Sequence, residues 1–276
     1  MRIATYLRNY RIENDDRLSA LLSALEAEGC DVHRVFAPED IADDTDFLLS
    51  IGGDGTFLSA AKLVGDRGIP VLGVNLGRLG FLSENRPDAV AEALVSGEYT
   101  IENRTLLKAS LSRVTGSGDV DGWPFALNEM TVHRSGAAML GVDVSIDGVL
   151  LPTYWADGLL VATSSGSTAY SLSVGGPIVL PESKVLIISP IASHNLNVRP
   201  LVVPDTSEIS ISLRSRDRKV MLTMDNRTVE IDRDMEMTVS MAQFSLRRVR
   251  LNSSNFINAL TGKLFWGEDI RNSTEH

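Results

Sequence analysis

The segment LLSIGGDGTFLSAA, residues 48–61, indicates the fold of the N-terminal part of the chain. An apolar run leads into clustered glycines and then into residues that can open a helix, which is the layout of a phosphate-binding turn in an α/β protein. Asp54 is unexpected in such a turn, because a carboxylate is repelled by a nearby phosphate. The segment matches neither the Walker A loop nor the GxGxxG spacing. From these residues alone, a tight strand-to-helix connection is as well supported as a phosphate site.

The residues around this segment extend the same pattern. Continuous apolar runs at 47–51 and 71–74 are typical of parallel strands that are covered on both faces. Helical periodicity predicts helices at 57–64 and 88–96. Residues 1–98 are therefore predicted to form an α/β domain with a doubly wound parallel sheet that carries the GGDGT loop.

After Gly97 the pattern changes to short strands and turns. Apolar strand-length runs recur over the following 150 or so residues, and Asp147-Gly148 is a strong signal for a two-residue hairpin. Residues 99–252 are therefore predicted to form an all-β domain. Residues 253–276 are predicted to form a tail with a short helix that returns to the N-terminal domain.

The composition restricts the setting in which the chain works. With 26 basic and 36 acidic residues the net charge is −10. This charge argues against non-specific binding of nucleic acid, and it means that an anionic ligand needs a local basic site or a metal ion. Cys30 is the single cysteine, which suits a reducing compartment. The sequence shows no signal peptide and no apolar stretch of membrane-spanning length, so we expect a cytoplasmic protein without membrane association.

Two further clusters of residues are unusual. Asn128 and Glu129 interrupt the otherwise apolar strand FALNEMTVHR, residues 125–134. A polar residue that faces inward or toward a cleft needs partners, although a bulge or a strand end at the surface is an alternative. Residues 163–176 are mostly small and uncharged around Tyr170, so backbone could approach a ligand there and the ring could stack on it. A small-residue helix packed on the sheet would explain the same composition.

Together these segments resemble the NAD kinases. The matching segments are GGDGTFL at 52–58, NLGRLGFL at 75–82, Asn128-Glu129, DGLLVATSSGSTAYSLSVGGPIV at 157–179 and SPIASHNLNVRPLVVP at 189–204, in family order over essentially the whole chain. GGDGT alone also resembles loops of phosphofructokinases and lipid kinases, whereas the joint match is specific. The resemblance implies that the chain uses ATP and Mg²⁺, or another divalent cation, to phosphorylate the 2′-hydroxyl of the adenosine ribose of NAD, giving NADP and ADP.

The resemblance also implies roles for individual residues. Asp54 matches the aspartate that accepts the proton of that hydroxyl, which explains its place in the loop: the loop and Mg²⁺ hold phosphates while the carboxylate takes the proton. Gly55 belongs to the same loop. Asn128 and Glu129 match the pair that hydrogen-bonds adenine and ribose, and Asp157 matches the acid near the nicotinamide carboxamide. The adenosine-binding segment contributes Thr168, Ala169, Tyr170 and Ser173, with Tyr170 as the stacking ring. The resemblance leaves the metal ligands unidentified.

The chain departs from the family pattern at two places. The usual Thr-Pro-Thr-Gly-Ser-Thr is TSSGST at 163–168, so a serine replaces a rigid proline and a looser entry to that segment is expected. The usual Asp-Gly turn late in the β domain is Asp225-Asn226. Because asparagine tolerates a left-handed conformation, the turn is expected to survive, and its contact with ligand is in doubt.

Several other polar residues fall outside these motifs. His133 and His194 lack metal-ligand spacing and are interpreted as structural or rim residues. Arg78 follows a strand on the expected ligand side of the sheet, where a phosphate contact and a surface ion pair are about equally supported. The basic run of Arg247, Arg248 and Arg250 is interpreted as a solvated strand edge or a subunit contact.

Two other functions share part of the pattern. A lipid or sphingoid kinase has the GGDGT loop but needs a membrane-facing apolar or basic surface, and the acidic charge argues against one. A non-catalytic NAD(H) or NADP(H) sensor could keep the Tyr170 segment but has no need of Asp54. By resemblance we further expect a homo-oligomer, specifically a tetramer, with NAD and ATP as its substrates.

Overall fold

The structure is a computed structural model that describes residues 1–77, 80–113, 116–118 and 122–264. The chain divides into two compact units. The first comprises residues 1–103 and the described residues from 246 onward, and the second comprises residues 104–245. None of the helices in the described residues is long and apolar enough to cross a membrane.

The first unit is built on a six-stranded sheet. The strand order is β2-β1-β3-β4-β20-β5, and the pairs β1/β2, β1/β3, β3/β4 and β4/β20 are parallel. Its elements are β1 (Arg2–Leu7), α1 (Asp16–Ala27), β2 (Asp31–Arg34), β3 (Phe47–Ile51), α2 (Asp54–Val64), β4 (Val71–Val74), α3 (Val90–Ser96), β5 (Tyr99–Arg104), β20 (Leu246–Leu251) and α5 (Phe256–Leu264).

Burial explains why these residues form a layered sheet. Strands β3 and β4 are buried along their whole length, as expected of parallel strands covered on both faces. Helix α1 buries Leu18, Leu21 and Leu25, and it shares one apolar cluster with α3 and the sheet. Helix α2 packs against β3 and β4. The predicted α/β fold of the N-terminal part is confirmed.

The second unit contains two antiparallel sheets. One has the order β11-β10-β16-β19-β6-β7, with β12 on β10 and β8 on β6, and the other has the order β15-β14-β13-β9-β17-β18. Alternate residues of both sheets meet in one apolar cluster. The predicted all-β fold is confirmed. Its elements are β6 (Leu107–Arg113), β7 (Gly116–Gly118), β8 (Phe125–Ala126), β9 (Glu129–Arg134), β10 (Leu140–Ile146), β11 (Val149–Leu150), β12 (Tyr154–Ala156), β13 (Gly158–Thr163), α4 (Tyr170–Ser173), β14 (Val185–Ile191), β15 (Leu201–Pro204), β16 (Ile209–Arg214), β17 (Lys219–Met224), β18 (Arg227–Asp232) and β19 (Glu236–Met241).

The unit boundaries differ from the predicted limits of 99 and 252. Strands β5 and β20 belong to the sheet of the first unit rather than to the all-β part. Strand β20 lies between β4 and β5, where Arg248 pairs with Val71. The interpretation of the basic run as a solvated edge is wrong for Arg248, because this side chain is buried between Glu84 and Glu102. After β20, helix α5 also lies in the first unit.

Candidate active site

The loop after β3 turns sharply into helix α2. Gly52 has φ +145°, and a methyl group at that position would come within 2.5 Å of Thr56 Oγ1, so both the conformation and the space require glycine. Gly53 is the N-cap, and the helix starts at Asp54, three residues before the predicted start at Phe57. This places Asp54 and Gly55 in the first turn, where the helix dipole favours a negative charge.

A second loop holds the Asp54 carboxylate. The backbone N–H of Phe81 donates to Oδ2 at 2.9 Å, and the N–H groups of Leu82 and Ser83 donate to Oδ1 at 3.0 and 2.9 Å. Gly80 lies directly against the carboxylate, because a methyl group there would come within 2.0 Å of Oδ1. The carboxylate is therefore fixed in orientation by backbone groups, while Oδ2 accepts a single N–H among the described residues and a carboxylate oxygen has room for two donors.

In the second unit, a half-buried aspartate holds the backbone of Asn128 and Glu129. Asp225, at φ +52°, accepts hydrogen bonds from the N–H groups of Leu127 (2.8 Å), Asn128 (2.8 Å) and Glu129 (3.3 Å). Burial raises the pKa of Asp225, but these hydrogen bonds and the charge of Arg227 oppose the rise. The predicted Asp225-Asn226 turn thus organises the start of β9, a role that the sequence analysis did not assign to it.

Glu129 projects a buried carboxyl group beside this turn. Burial and the neighbouring charge of Asp225 raise its pKa to about 8, although a hydrogen bond from the N–H of Tyr170 opposes the rise. Its Oε2 atom has no hydrogen-bond partner among the described residues. The three N–H donors favour the ionised form of Asp225, whereas a single N–H opposes the raised pKa of Glu129, so ionisation is less favourable at Glu129.

The small-residue segment after β13 lies against Asn128. Thr163 Oγ1 donates to the carbonyl of Leu127 at 2.6 Å and accepts the N–H of Gly166 at 3.1 Å. A methyl group on Gly166 would come within 2.1 Å of the carbonyl oxygen of Asn128. Residues 165–168 form a turn of 3-10 helix that leads into α4. Thr168 and Ala169 are half-buried at this point, and Tyr170 and Ser173 are exposed on α4.

The Tyr170 ring lies along β9. The backbone N–H of Tyr170 donates a hydrogen bond to Glu129 at the start of this strand. The Tyr170 hydroxyl is 3.1 Å from His133 Nε2 near the end of the strand. The two rings are parallel within 6°, with centroids 6.2 Å apart. Tyr170 is 36% exposed, so part of the residue is accessible to a ligand. Burial lowers the pKa of His133.

Asp157 lies next to this pair. Arg134 Nε donates to Asp157 Oδ1 at 2.6 Å, and this interaction lowers the pKa of the carboxyl group. Gly158 allows the close approach, because a methyl group there would lie 2.3 Å from the carbonyl of Val132. His133 and Arg134 contact predicted site residues, and sequence reasoning missed them in that role. The alternation of Glu129, Thr131 and His133 with the apolar Met130 and Val132 was the available signal for His133.

The predicted site residues are divided between the units. Asp54 and Gly55 lie in the first unit, and seven others lie in the second. Those seven are Asn128, Glu129, Asp157, Thr168, Ala169, Tyr170 and Ser173. Arg78, the phosphate candidate, lies outside the described residues. In the parts of the chain that the structure describes, no three His, Cys, Asp or Glu side chains form a metal-binding group.

Comparison with known proteins gives a consistent result for both units. Residues 9–99 match the ATP-NAD kinase N-terminal domain, and residues 127–251 match the ATP-NAD kinase C-terminal domain. An NAD kinase of Flavobacterium psychrophilum is 37% identical over 96% of this chain and 90% of its own length. An NAD kinase of Cytophaga hutchinsonii is 42% identical over 82% of this chain and 78% of its own length.

Solved structures share the fold. A yeast NADH kinase complexed with NADH superposes with a TM-score of 0.85 at 23% identity, covering 99% of this chain and 89% of that one. An NAD kinase from Archaeoglobus fulgidus in complex with ATP superposes with a TM-score of 0.78 at 28% identity, covering 96% of this chain and 99% of that one. With both domains matched and relatives of this identity along nearly the whole sequence, the chain belongs to the NAD kinase family.

Proposed function

We propose that this chain is an NAD kinase that transfers the terminal phosphoryl group of ATP to the 2′-hydroxyl of the adenosine ribose of NAD, giving NADP and ADP. Relatives named NAD kinase that are 36–42% identical over most of the chain support the activity. The observation that carries the chemistry is the Asp54 carboxylate, held by three backbone N–H groups at the start of α2.

In the proposed reaction, Asp54 acts as the general base. The ribose oxygen forms a bond to the terminal phosphorus as the bond from that phosphorus to the ADP oxygen breaks, and Asp54 takes the hydroxyl proton. Oδ2 is the atom suited to this task, since it accepts one N–H while Oδ1 accepts two. Backbone hydrogen bonds fix the direction of the carboxylate, so little rearrangement is needed to reach the reactive orientation.

A divalent cation, Mg²⁺ in the simplest case, is part of this proposal. Mg²⁺ keeps several waters and binds through one or two carboxylates together with substrate phosphates, so it does not require a dedicated cluster of protein ligands. When bound, the cation would neutralise phosphate charge, which also removes the repulsion between Asp54 and the phosphates.

The second unit is proposed to bind NAD. Asn128 and Glu129 would hydrogen-bond adenine and ribose, Asp157 would lie near the nicotinamide carboxamide, and Tyr170 would stack on the adenine. The exposure of Tyr170, and the Glu129 Oε2 atom that has no partner among the described residues, support these roles. Thr168, Ala169 and Ser173 are proposed as part of the same site, and Gly55 as part of the loop that carries Asp54.

The remaining proposals concern the cellular setting. We expect the enzyme to supply NADP in the cytoplasm and to work as a homotetramer. The decisive assay measures NADP formation by purified protein from NAD, ATP and Mg²⁺. Time-dependent NADP formation supports the proposal. NAD binding without turnover would favour the sensor, and phosphorylation of a lipid or sphingoid base instead of NAD would favour the lipid kinase.

Replacing Asp54 by Asn tests the general base. The amide cannot accept the hydroxyl proton, so kcat should fall by about 10²–10⁴-fold while NAD affinity changes far less. Both carboxylate oxygens accept backbone N–H groups, so the –NH₂ of asparagine must face one of these donors. The lost hydrogen bond should lower the free energy of unfolding by about 1–3 kcal/mol. Activity must therefore be normalised to folded protein, measured by melting.

The same change at an exposed carboxylate of the first unit, Asp66→Asn, is the matched control and should alter neither turnover nor melting. Near-normal kcat in folded Asp54→Asn protein would show that the carboxylate is a structural brace. Recovery of activity by excess Mg²⁺ would show that it is a metal ligand.

A further inference from the structure

The loop of residues 80–83 has no rigid secondary structure of its own, although it fixes the Asp54 carboxylate. It is closed by one hydrogen bond, from the N–H of Gly80 to the carbonyl of Ser83 at 3.0 Å. Its next three N–H groups all point at Asp54. A shift of this loop therefore moves the carboxylate or leaves its oxygens with fewer donors.

The C-terminal segment of the first unit holds this loop in place. Lys263, in the last turn of α5, donates a hydrogen bond from Nζ to the carbonyl of Gly80. The same ammonium lies 4.7 Å from the centroid of the Phe81 ring, in cation-π contact. The Phe81 ring also packs against Phe256 at the start of α5, with centroids 6.2 Å apart.

Arg248 adds a contact from the strand that precedes α5. Its Nη2 atom donates to the carbonyl of Phe81 at 3.3 Å and pairs with Glu84 at 2.5 Å. Ser254 donates to the same Glu84 carboxylate at 3.1 Å. Three successive parts of the C-terminal segment, β20, the turn after it and α5, thus contact residues 80–84.

Lys263 is an unexpected residue for simple packing. Burial lowers its pKa, and the nearby charges of Glu84 and Asp54 oppose this effect. An apolar residue would cover the Phe81 ring without the desolvation of an ammonium group. The lysine instead supplies a hydrogen bond to Gly80 and a positive charge over the Phe81 ring.

We propose that Lys263 is a positioning residue for Asp54: with Phe256, it locks the loop of residues 80–83 and thereby the orientation of the carboxylate. The proposal rests on the proposed role of Asp54 as the general base. The matches to the family domains end at residues 99 and 251. Helix α5 therefore lies outside the two matched domains.

The test compares turnover with substrate binding. Lys263→Met keeps an unbranched side chain but removes the donor and the charge. Since misplacement of a reacting group by about 1 Å can reduce a rate by about 10²-fold, kcat should fall by about 10- to 100-fold, with KM for NAD changed by less than about threefold. Lys263→Arg should restore most of the turnover, because arginine supplies a cationic donor. Thr261→Met, at an exposed position of the same helix, is the control and should turn over normally.

A double variant separates positioning from general stabilisation. If Lys263 acts through Asp54, adding Lys263→Met to Asp54→Asn should reduce kcat by less than about twofold further. If Lys263 were only structural, Lys263→Met would lower the melting temperature, and in the double variant the fold-losses in kcat of the two substitutions would multiply. Should Lys263→Met fail to fold, Phe256→Leu loosens the same loop through a different contact and should show the same non-additivity.

The outcomes also distinguish this proposal from the proposed function. If the unaltered protein forms no NADP, or if folded Asp54→Asn keeps normal turnover, the role of Asp54 is wrong and the positioning role falls with it. If Asp54→Asn is inactive while Lys263→Met and Phe256→Leu turn over normally, only the positioning role of α5 is wrong.

Discussion

Glu129 holds a carboxyl group in a place where ionisation is unfavourable. The side chain is buried beside Asp225, and the latter already accepts three N–H groups. Because its pKa is raised to about 8, the carboxyl group favours its protonated form at neutral pH, in which it can donate a hydrogen bond. An ionised carboxylate could only accept. A protonated Glu129 therefore suits a nucleotide atom that is an acceptor, such as a ring nitrogen of adenine or a ribose oxygen.

The pH dependence of stability tests the protonation of Glu129. The usual pKa of this carboxyl group, 4.5, applies to the unfolded chain, and burial and the charge of Asp225 raise the pKa to about 8 in the folded protein. A raised folded pKa gives stability that is fully present below pH 4.5 and is lost as the pH rises toward 8. Between pH 4.5 and pH 8 the free energy of unfolding of the unaltered protein should therefore fall by about 1–4 kcal/mol relative to that of Glu129→Gln, whose amide does not titrate.

Chemical denaturation of both proteins at a series of pH values measures this difference. Glu230→Gln, an exposed position on β18, is the control, and its stability relative to the unaltered protein should not vary with pH in this way. A difference between the unaltered protein and Glu129→Gln that is constant from pH 5 to pH 8 would show that Glu129 is ionised in the folded state.

At the scale of single elements, the turn of residues 165–168 positions Asn128 by direct backbone contact. Gly166 has no room for a side chain, since an added methyl group would lie 2.1 Å from a backbone oxygen that cannot rotate away. Gly166→Ala should therefore lower stability by about 1–3 kcal/mol and weaken NAD binding by displacing Asn128. Calorimetry gives both the melting temperature and the NAD affinity.

Gly262→Ala provides the comparison for this substitution. An added methyl group at Gly262 meets no atom within 4 Å, and alanine is the better helix former, so melting should stay unchanged or rise slightly. Equal and small effects of the two substitutions on melting would show that the backbone at Gly166 is far enough from Asn128 in solution to accept a methyl group.

The elements themselves differ in how well the sequence predicts them. The apolar runs of β3 and β4 predicted buried parallel strands, because continuous burial leaves a clear pattern. The start of α2 was predicted at Phe57 instead of Asp54, since periodicity of apolar residues cannot register the glycine-rich first turn. The three N–H groups that hold Asp54 could not be predicted at all, because they depend on the backbone path of a loop 27 to 29 residues farther along.

At the scale of the whole molecule, the chain returns to the sheet where it began. Strand β20 lies between β4 and β5, although it follows the entire second unit in the sequence. Such pairing between distant segments leaves no local signal, so the predicted boundary at 252 fell after β20. Arg248 was interpreted as exposed for the same reason: a basic strand normally lies at an edge, and the central position of Arg248 depends on its ion pairs with Glu84 and Glu102.

The oligomeric state also belongs to this scale. Strand β15 is the terminal strand of its sheet, with Leu201 and Val202 exposed, and Leu196 just before it is 87% exposed. A second copy of the chain could cover such an apolar edge. We therefore expect light scattering to give a multiple of the 30.0 kDa chain mass, about four times that mass for the tetramer.

The double substitution Leu196→Asp and Val202→Asp should reduce the particle mass, because the charges would be buried without partners. Val95→Asp, at an isolated exposed position of α3, should leave it unchanged. A particle of 30.0 kDa for the unaltered protein at working concentration would show that the β15 edge is not an interface and that the tetramer prediction is wrong.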